Sequence, residues 1–505
     1  MPFRWLRSSS RWRVSVGSWS WPWSGSLSRR ARKSLSLSYQ ARHPGFPFSG
    51  FCHTPITVIA MTVHTSITLR LVSRVSDWIA QILARPTASL CIGYTNPVFL
   101  SVEILILRSN NMAGPLVGMK VLDMSRILAG PWLGQILSDF GADVWKVERP
   151  KTGDDTRQWG PPFVQFDKHE GQDAAYFFAA NRGKKSICLD LKDEHDLKIL
   201  RSLAEKADIL IENYKFGDLK RYGLDFDTLH KTNPGLVYCS ITGFGHSGPY
   251  KEHAGYDMAI QAIGGIMSLT GEHKDRPGGG VQRVGVPIAD LLTGTFAASA
   301  VIAAYHHKHL TGEGQHIDMS LLDTLVACLA NQNMNYLASG TVPEPMGNEH
   351  PNISPYGVFP TSDGEFVLAV GNDRQYATFC RVSGLDTAAT DSRFTTNSDR
   401  LRNREDLTAL ISKRTRQDST TRWVELLNAA HVPCAPINSL DAVLSDPHVL
   451  ARGMLINLPH GGRESVRLVA NPVQFSGTKI EYTSGPPLLD EHREEILKMV
   501  RDELP

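Results

Sequence analysis

The fold of this chain is decided by Lys120-Val-Leu-Asp-Met-Ser-Arg-Ile-Leu-Ala-Gly-Pro-Trp-Leu-Gly-Gln-Ile-Leu-Ser-Asp-Phe-Gly-Ala-Asp-Val-Trp-Lys-Val-Glu148. A short apolar strand opens this stretch, and Ala129-Gly-Pro131 begins a helix, whose first turn tolerates proline. Gly141 ends the helix, and a second apolar strand follows from Ala142. Two strands joined by a helix form a βαβ unit, which predicts a parallel sheet.

Further strands and helices alternate after this unit. Strands are predicted at 186–191, 208–212, 236–241 and 315–319, and helices at 193–207, around Asp290 as far as 311, and at 320–337. We therefore expect an α/β fold with a Rossmann-like parallel-sheet large domain and a smaller α+β domain. Ligands of such folds bind outside the carboxyl ends of the strands. Those ends carry Ser125-Arg126, Glu148-Arg149, Glu212-Asn213 and Thr242-Gly243.

Composition shifts divide the chain into four segments. We expect 1–111 to be a targeting or upstream segment without packed structure, and 112–340 to be the first part of the large domain. The segment 340–355 is rich in Pro, Gly and Asn, which is typical of a linker, so 341–450 is predicted to be the small domain with its linkers. The remainder, 451–505, is expected to return to the large domain.

The first 76 residues contain no Asp or Glu and are rich in Arg, Ser and Trp. This composition resembles that of an organellar transit peptide, so we expect a mitochondrial protein. Met61 opens a stretch that could be a shorter presequence, and Met112 could itself be the start site. The start site and the cleavage point therefore stay open at this stage. The segment 90–107 is interrupted by Asn96-Pro97 and Glu103, so it falls short of the roughly 20 apolar residues that a membrane helix needs.

The whole-chain composition is that of a globular protein. Of 505 residues, 42% are hydrophobic and 21% charged, and the mean hydropathy is −0.20. A net charge of +2 gives no reason to expect nucleic acid as a partner. The seven cysteines are scattered without a close pair or metal spacing, which favours a reducing compartment, free thiols and no metal site.

Asp290 is the residue with the clearest chemical meaning. It stands in Val284-Gly-Val-Pro-Ile-Ala-Asp290, where a helix of small apolar residues begins. We expect the free amides and positive dipole end of that helix to keep the carboxylate ionised, so that it can attack an activated acyl group. The alternative is that Asp290 is an ordinary helix cap, which is a common role of aspartate.

The segment Gly243-Phe-Gly-His-Ser-Gly248 matches a dinucleotide-binding pattern, but Pro249 follows and no helix opens there, which argues against a nicotinamide enzyme. Cations are more informative. They precede a strand in Asn181-Arg-Gly-Lys-Lys185 and stand near strand ends at Arg149, Lys192, Lys215 and Arg221. Cations at this edge of a parallel sheet are typical of a polyphosphate site, although each of them alone could be solvated surface charge.

Together, these motifs resemble the class III coenzyme A-transferases, the superfamily of formyl-CoA transferase, carnitine CoA-transferase and alpha-methylacyl-CoA racemase. The resemblance covers about 114–503. It is carried by Leu122-Asp-Met-Ser-Arg-Ile-Leu-Ala-Gly-Pro131, Gly141-Ala-Asp-Val-Trp-Lys-Val-Glu-Arg149, Gly153-Asp-Asp-Thr-Arg157, Asn181-Arg-Gly-Lys-Lys-Ser186, Glu212-Asn-Tyr-Lys-Phe-Gly217, Gly243-Phe-Gly-His-Ser-Gly-Pro249, Gly255-Tyr-Asp257, Gly285-Val-Pro-Ile-Ala-Asp290 and Thr311-Gly-Glu-Gly-Gln315. Within the family, Trp159-Gly-Pro-Pro162, Tyr176 and Arg182-Gly-Lys-Lys185 are most similar to the branch that uses succinyl-CoA and short dicarboxylates.

The resemblance implies roles for individual residues. Asp290 corresponds to the nucleophile, and Asp257 to an acidic residue near it. The CoA-binding positions correspond to Leu128, Ala129, Arg149, Leu189, Asp190, Leu191, Lys192, Asn213, Tyr214, Lys215, Arg221 and Tyr256. Two departures stand out: Lys215-Phe216 replaces a frequent Arg-Pro pair, and Met346-Gly-Asn-Glu-His350 lacks the glycine-rich lid of the formyl-CoA enzyme.

The activity that the resemblance implies is transfer of CoA from an acyl-CoA such as succinyl-CoA to a dicarboxylic acid such as glutarate or hydroxymethylglutarate. The expected partners are acyl-CoA and small carboxylic acids, without a membrane and without any cofactor beyond CoA. The family also implies an interlocked homodimer. The acceptor's distal carboxylate needs a fixed cation, for which Arg157, Arg182 and Arg283 are the candidates.

Two alternatives stay open at this stage. A racemase of the same fold would use a histidine where this chain has Tyr256, and a neutral phenol with a pKa of about 10 is a poor general base. A CoA-binding scaffold without catalysis would retain the cations but would not need Asp290 or Asp257. The presence of both carboxylates favours the transferase.

Overall fold

The computed structural model describes residues 58–60, 69–71, 89–91, 101–103, 114–167 and 170–500. Contacts between Cα atoms divide the chain into two units, Met1–Asn111 and Met112–Pro505. In the first unit two antiparallel strand pairs are described, and the predicted targeting segment otherwise lies outside the described residues. These strands are β1 (Val58–Ala60), β2 (Leu69–Leu71), β3 (Ser89–Cys91) and β4 (Ser101–Glu103).

The second unit begins with the predicted βαβ stretch and then adds strands and helices in alternation. A hairpin and a short helix, which the sequence did not predict, interrupt the alternation. The elements are β5 (Lys120–Asp123), α1 (Ala129–Asp139), β6 (Asp143–Glu148), β7 (Phe163–Gln165), β8 (Gln172–Ala174), α2 (Ala175–Phe178), β9 (Lys185–Cys188), α3 (Glu194–Lys206), β10 (Ile209–Glu212), α4 (Phe226–Thr232) and β11 (Val237–Thr242).

The middle of this unit is mainly helical and carries the Asp290 helix. The elements are α5 (Asp257–Ile263), α6 (Ile266–Leu269), β12 (Gly271–Glu272), β13 (Gly280–Val281), α7 (Ile288–Thr311), β14 (His316–Ser320), α8 (Leu321–Cys328) and α9 (Ala330–Ser339). The prediction of one helix over 320–337 is wrong. Two helices are present, because Ala330 has a φ of 46°, in the left-handed region that a continuous α-helix excludes.

Six parallel strands form the central sheet in the order β14-β11-β10-β5-β6-β9. The sheet is therefore wound outward in both directions from β5 and β10, which is the doubly wound Rossmann order, and the predicted α/β fold class is confirmed. Helices α1, α7 and α8 cover one face, with Leu133, Ala297 and Val301 in the core. Helices α3 and α4 and the C-terminal helix α17 (Arg493–Lys498) cover the other.

Helix α7 is long and apolar enough to cross a membrane, and no other helix among the described residues meets that test. Its buried positions nevertheless belong to the core between the sheet and α1. A Cβ atom added at Gly294 would lie 2.5 Å from the carbonyl oxygen of Ala129, so glycine allows the two helices to touch. Burial in this core accounts for the apolar residues on one side of the helix, whereas Phe296 and Leu310 are exposed.

A second group of elements surrounds a three-stranded antiparallel sheet with its own core around Phe366, Phe379 and Trp423. A two-stranded sheet and α17 follow. The elements are β15 (Tyr356–Pro360), β16 (Glu365–Ala369), α10 (Asp373–Ser383), α11 (Asp386–Thr390), α12 (Asn397–Arg402), α13 (Arg404–Thr415), α14 (Thr420–Ala429), β17 (Cys434–Pro436), α15 (Leu440–Ser445), α16 (Pro447–Ala451), β18 (Leu455–His460) and β19 (Arg463–Val469). The side chain of Ile496 on α17 is buried in the core of the parallel sheet.

Candidate active site

A cavity of about 310 Å³ opens where the winding of the sheet reverses, between the carboxyl ends of β5 and β10. Asn213 joins the two strand ends. Its Nδ2 donates to the carbonyl of Arg126 at 2.7 Å, and its Oδ1 accepts from the backbone N–H of Arg126 at 2.9 Å. Such a switch point is the usual ligand crevice of an open α/β sheet. Asp257 and Asp290 both line this cavity.

Asp290 is the third residue of α7 and is mostly buried. No hydrogen bond or ion pair of its carboxylate is found among the residues that the structure describes. The backbone of α7 is fixed by its contact with α1, so the direction of the side chain is set by rigid elements. Among the described residues, the structure therefore presents the Asp290 carboxylate to the cavity without a partner.

Our expectation that the helix amides keep Asp290 ionised is wrong. The N–H groups of Ala289 and Asp290 donate instead to Oδ1 of Asp257, at 2.8 and 3.3 Å. Asp257, at the start of α5, thus caps α7 from another helix. The alternative that Asp290 itself is the cap is also wrong, since its side chain accepts no amide of the helix.

Burial and the neighbouring charge of Asp257 raise the pKa of Asp290 to about 7. Desolvation and a like charge both disfavour the ionised carboxylate, so they act in the same direction. A carboxylate with a raised pKa is a stronger nucleophile than an exposed one and is still about half ionised near pH 7. This setting suits covalent catalysis better than a salt bridge would.

Tyr176, on α2, lies near enough to both carboxylates for their charges to affect its phenol. Burial, followed by the charges of Asp290 and Asp257, raises the pKa of its phenol to about 12, so it remains a neutral hydrogen-bond donor. Trp159 packs edge-to-face on its ring, with 5.4 Å between the centroids. Both residues were named in the sequence analysis as part of the family resemblance, but neither was predicted to have a role in the site.

A second cavity of about 570 Å³ adjoins the first and shares Arg126, Tyr214 and Asp218 with it. The twelve predicted CoA-binding residues all line one cavity or the other. The first contains Leu128, Ala129, Asn213, Tyr214, Lys215 and Tyr256, and the second contains Arg149, Leu189, Asp190, Leu191, Lys192, Tyr214 and Arg221. The two cavities together could hold an elongated ligand, with one end at Asp290 and the other among cations.

The cations of the second cavity differ in how far they are neutralised. Arg126 and Arg149 share one carboxylate, that of Asp155, at 2.9 and 2.5 Å. Arg221 lies 3.6 Å from Asp218 and is exposed, as is Lys192. Exposed guanidinium and ammonium groups that are only partly paired retain donors for phosphate oxygens.

The cations of Asn181-Arg-Gly-Lys-Lys185 do not belong to a phosphate site, so that part of the interpretation is wrong. Arg182 forms a buried ion pair with Asp139 at 2.5 Å, and Lys184 one with Asp123 at 2.8 Å. Lys185 bridges two carboxylates away from both cavities. Buried ion pairs of this kind hold elements together, because an unpaired buried charge would be costly.

The same reasoning changes the set of candidates for the acceptor's distal carboxylate. Arg157 is buried, donates to both oxygens of Glu148 and lies 2.7 Å from Asp173, and Arg182 is bound to Asp139. Neither guanidinium is free for a ligand. Arg283 lines neither cavity, but it is exposed and, within the described part of the chain, donates only to the backbone carbonyls of Val284 and Gly285, so it is the candidate that remains.

Gln261 contacts Asp257 directly and was not predicted. It follows Asp257 by four positions on α5, the spacing at which helical side chains meet. That spacing could have indicated the contact from the sequence. Arg126 and Lys251 also line the cavity. The sequence placed Arg126 at a strand end without giving it a role, and Lys251 lies in a loop without a regular pattern.

Comparison with known proteins agrees with this geometry. The family model described as CoA-transferase family III matches residues 116–493. A succinate–glutarate CoA-transferase of Agrobacterium fabrum is 46% identical over 387 residues, which is 77% of this chain and 96% of that protein. The human succinyl-CoA:glutarate CoA-transferase is 39% identical over 390 residues, with 77% and 87% covered. A crystal structure of a CaiB/BaiF family protein from Brucella suis has a TM-score of 0.68 at 48% identity, covering 78% of this chain and all of that one.

The raised pKa of Asp290 predicts a pH-dependent cost to stability. The carboxyl group has a pKa near 3.8 in the unfolded chain and of about 7 in the folded one. Its contribution to the free energy of unfolding is therefore fully present below pH 3.8 and is lost as pH rises through 7. We expect Asp290→Asn to raise the Tm by about 2–4 °C at pH 8, with a gain that shrinks towards pH 4. Calorimetry across this range measures it.

Asp323 offers a matched control, because it is the third residue of α8 as Asp290 is of α7, but it is exposed. Asp323→Asn should give no gain at pH 8. An Asp290→Asn protein that is no more stable than the parent at pH 8 would contradict the desolvation of Asp290.

Proposed function

The chain belongs to CoA-transferase family III, and from that premise we propose that it transfers coenzyme A from succinyl-CoA to glutarate. The observation that carries the proposal is the unpaired, desolvated carboxylate of Asp290 beside a cavity that continues into a cluster of cations. The choice of substrates follows the names of the relatives in Agrobacterium fabrum and Homo sapiens.

In the first half-reaction the Asp290 carboxylate attacks the thioester carbonyl of succinyl-CoA. The C–S bond breaks and leaves a mixed anhydride and the CoA thiolate. The thiolate then attacks the aspartyl carbonyl of the anhydride, which releases succinate and leaves an aspartyl-CoA thioester. Glutarate repeats the two steps in reverse: its carboxylate displaces the thiolate, which returns to the glutaryl carbonyl and regenerates Asp290.

Every intermediate of this sequence can be hydrolysed, so the reacting carbonyl must be kept from water. The mostly buried position of Asp290 supports this part of the proposal. The phenol of Tyr176, which stays protonated, is a suitable donor to an oxygen of the anhydride. Asp257 acts through its charge and by capping α7.

We place the CoA moiety along the second cavity, with its phosphates near Arg149, Arg221 and Lys192. Arg126 and Tyr214 lie between the two cavities, where the pantetheine arm would pass. A racemase is not proposed, because Tyr256 offers no imidazole, is 64% exposed, and the relatives named above are transferases.

The catalytic domain is proposed to comprise 112–340 and 451–505, and the small domain 341–450. Residues 1–111 are proposed to direct the enzyme to mitochondria. A fluorescent fusion of the full chain should enter mitochondria, and one that begins at Met112 should stay outside.

The assay mixes the protein with succinyl-CoA and glutarate and follows glutaryl-CoA by mass spectrometry. We expect product from the parent and a loss of at least about 1,000-fold for Asp290→Ala, which removes the nucleophile. Asp323→Ala, the equivalent position of α8, should retain activity. Equal activity in Asp290→Ala and the parent would contradict the mechanism.

Arg283 is proposed to bind the distal carboxylate of the acceptor. Replacing it with Lys keeps the charge but loses the planar pair of donors, so we expect KM for glutarate to rise about ten-fold and KM for succinyl-CoA to change little. Arg393→Lys, at an exposed arginine paired with Asp391 and Asp406, is the control. Equal increases in both KM values would contradict the assignment.

A homodimer is also proposed. Large apolar side chains are exposed on α5, α7 and α9, with Met258, Phe296, Met334 and Leu337 each at least half exposed. Exposed apolar side chains that gather into a patch are typical of a protein interface. Light scattering on the purified full chain should give twice its mass of 55.8 kDa, whereas the monomer mass at micromolar concentration would contradict the proposal.

A further inference from the structure

The carboxylate of Asp257 is held by three N–H donors from two elements. Its Oδ1 accepts from the amides of Ala289 and Asp290, and its Oδ2 accepts from Nε2 of Gln261 at 2.6 Å. Three donors leave the carboxylate little freedom to rotate or withdraw. Its negative charge is therefore fixed beside Asp290.

Gln261 makes a second contact that concerns the same helix. Its Oε1 accepts from the backbone N–H of Val284 at 2.9 Å, and its Nε2 lies 3.4 Å from the carbonyl oxygen of Val286. Residues 284–286 form the turn that leads into α7. A single side chain thus joins the charge next to the nucleophile to the backbone that presents the nucleophile.

The side chain of Gln261 is fully buried. A buried amide is costly unless its donors and acceptor are satisfied, and these are used on Asp257 and the turn. An apolar residue at this position of α5 would serve the core equally well, as its neighbour Ile260 does. The amide is therefore explained by the site rather than by packing.

We propose that Gln261 is a positioning residue of this active site, which locks the Asp257 carboxylate against Asp290 and anchors the 284–286 turn. The inference rests on the proposed function, in which Asp290 is the nucleophile. A fixed negative charge disfavours the free Asp290 carboxylate and is less unfavourable to the neutral anhydride and thioester. The locked pair therefore favours acylation of Asp290.

Loss of the Nε2 donor frees Oδ2 of Asp257 to turn away from the site, so the repulsion felt by Asp290 weakens. The midpoint of the pH–rate profile should then move to lower pH. Other titratable or charged groups also line the cavity around Asp290, and among the described residues none of them is hydrogen-bonded to Gln261. They are Arg126, Lys215, Asp218, Lys251, Glu252, His253 and Tyr256. The phenol of Tyr176 lies outside this lining, and the charge of Asp290 acts on it.

The test uses the full chain and succinyl-CoA alone, and follows formation of the aspartyl-CoA adduct by rapid quench and intact mass between pH 5.5 and 8.5. For a midpoint near 7, the rate at pH 6 is about one-tenth of that at pH 8. In Gln261→Met, which preserves volume, we expect this ratio to rise two- to three-fold while the plateau rate falls about ten-fold.

Gln135→Met is the matched control. Gln135 is a buried glutamine whose amide also donates to one backbone carbonyl and accepts from one backbone N–H, those of Ala179 and Arg182. Its loss should lower the Tm and leave the pH ratio unchanged. Gln261→Asn, whose amide is too short to reach both partners, should shift the ratio in the same direction if the Met variant does not fold.

An unmoved pH ratio in both Gln261 variants, with adduct formed by the parent, would overturn the role of Gln261 alone. A parallel shift in Gln135→Met would overturn it as well, because it would make the effect one of general destabilisation. Absence of the adduct from the parent would overturn the proposed function, and this inference with it.

Discussion

The site depends on one hydrogen-bonded junction, at which Asp257 of α5 caps the amino terminus of α7. Helix amides need an acceptor, and Asp257 supplies it from another element. Asp290, the third residue of the same helix, is thereby left without a partner among the described residues, in a mostly buried position. The junction makes Asp290 reactive, since it satisfies the helix and adds a negative charge next to the remaining carboxylate.

The junction can exist only because the sheet brings distant segments together. The reversal of winding between β5 and β10 opens the crevice, and Asn213 holds its two edges at a fixed distance. Gly294 lets α7 lie against α1, so that the amino terminus of α7 faces the same crevice. One packing arrangement thus sets the crevice and the position of the nucleophile. The adjoining cavity is lined by cations that suit a phosphate-bearing ligand.

Local sequence patterns predicted the βαβ unit well, because apolar periodicity, Pro131 and Gly141 act over a few residues. They also placed Asp290 at a helix start and cations such as Arg149 and Lys192 near strand ends, whereas the individual CoA-binding positions came from the family resemblance. They failed where the answer depends on contacts across the fold. Asp257 and Asp290 are 33 positions apart, so the capping could not be predicted. A cation in a buried ion pair, such as Arg182, also has the same local pattern as an exposed and only loosely paired one, such as Arg221.

The most direct test of the account is oxygen transfer from the acceptor. If Asp290 carries the acyl group, glutarate labelled with ¹⁸O in its carboxylates will deliver label to the Asp290 side chain during turnover, since the bridging oxygen of the anhydride comes from the acceptor. Mass spectrometry of the peptide that contains Asp290 should show this label after several turnovers with succinyl-CoA. In this account label reaches succinate only by way of Asp290. Label in succinate while Asp290 stays unlabelled would therefore contradict the covalent role of this residue.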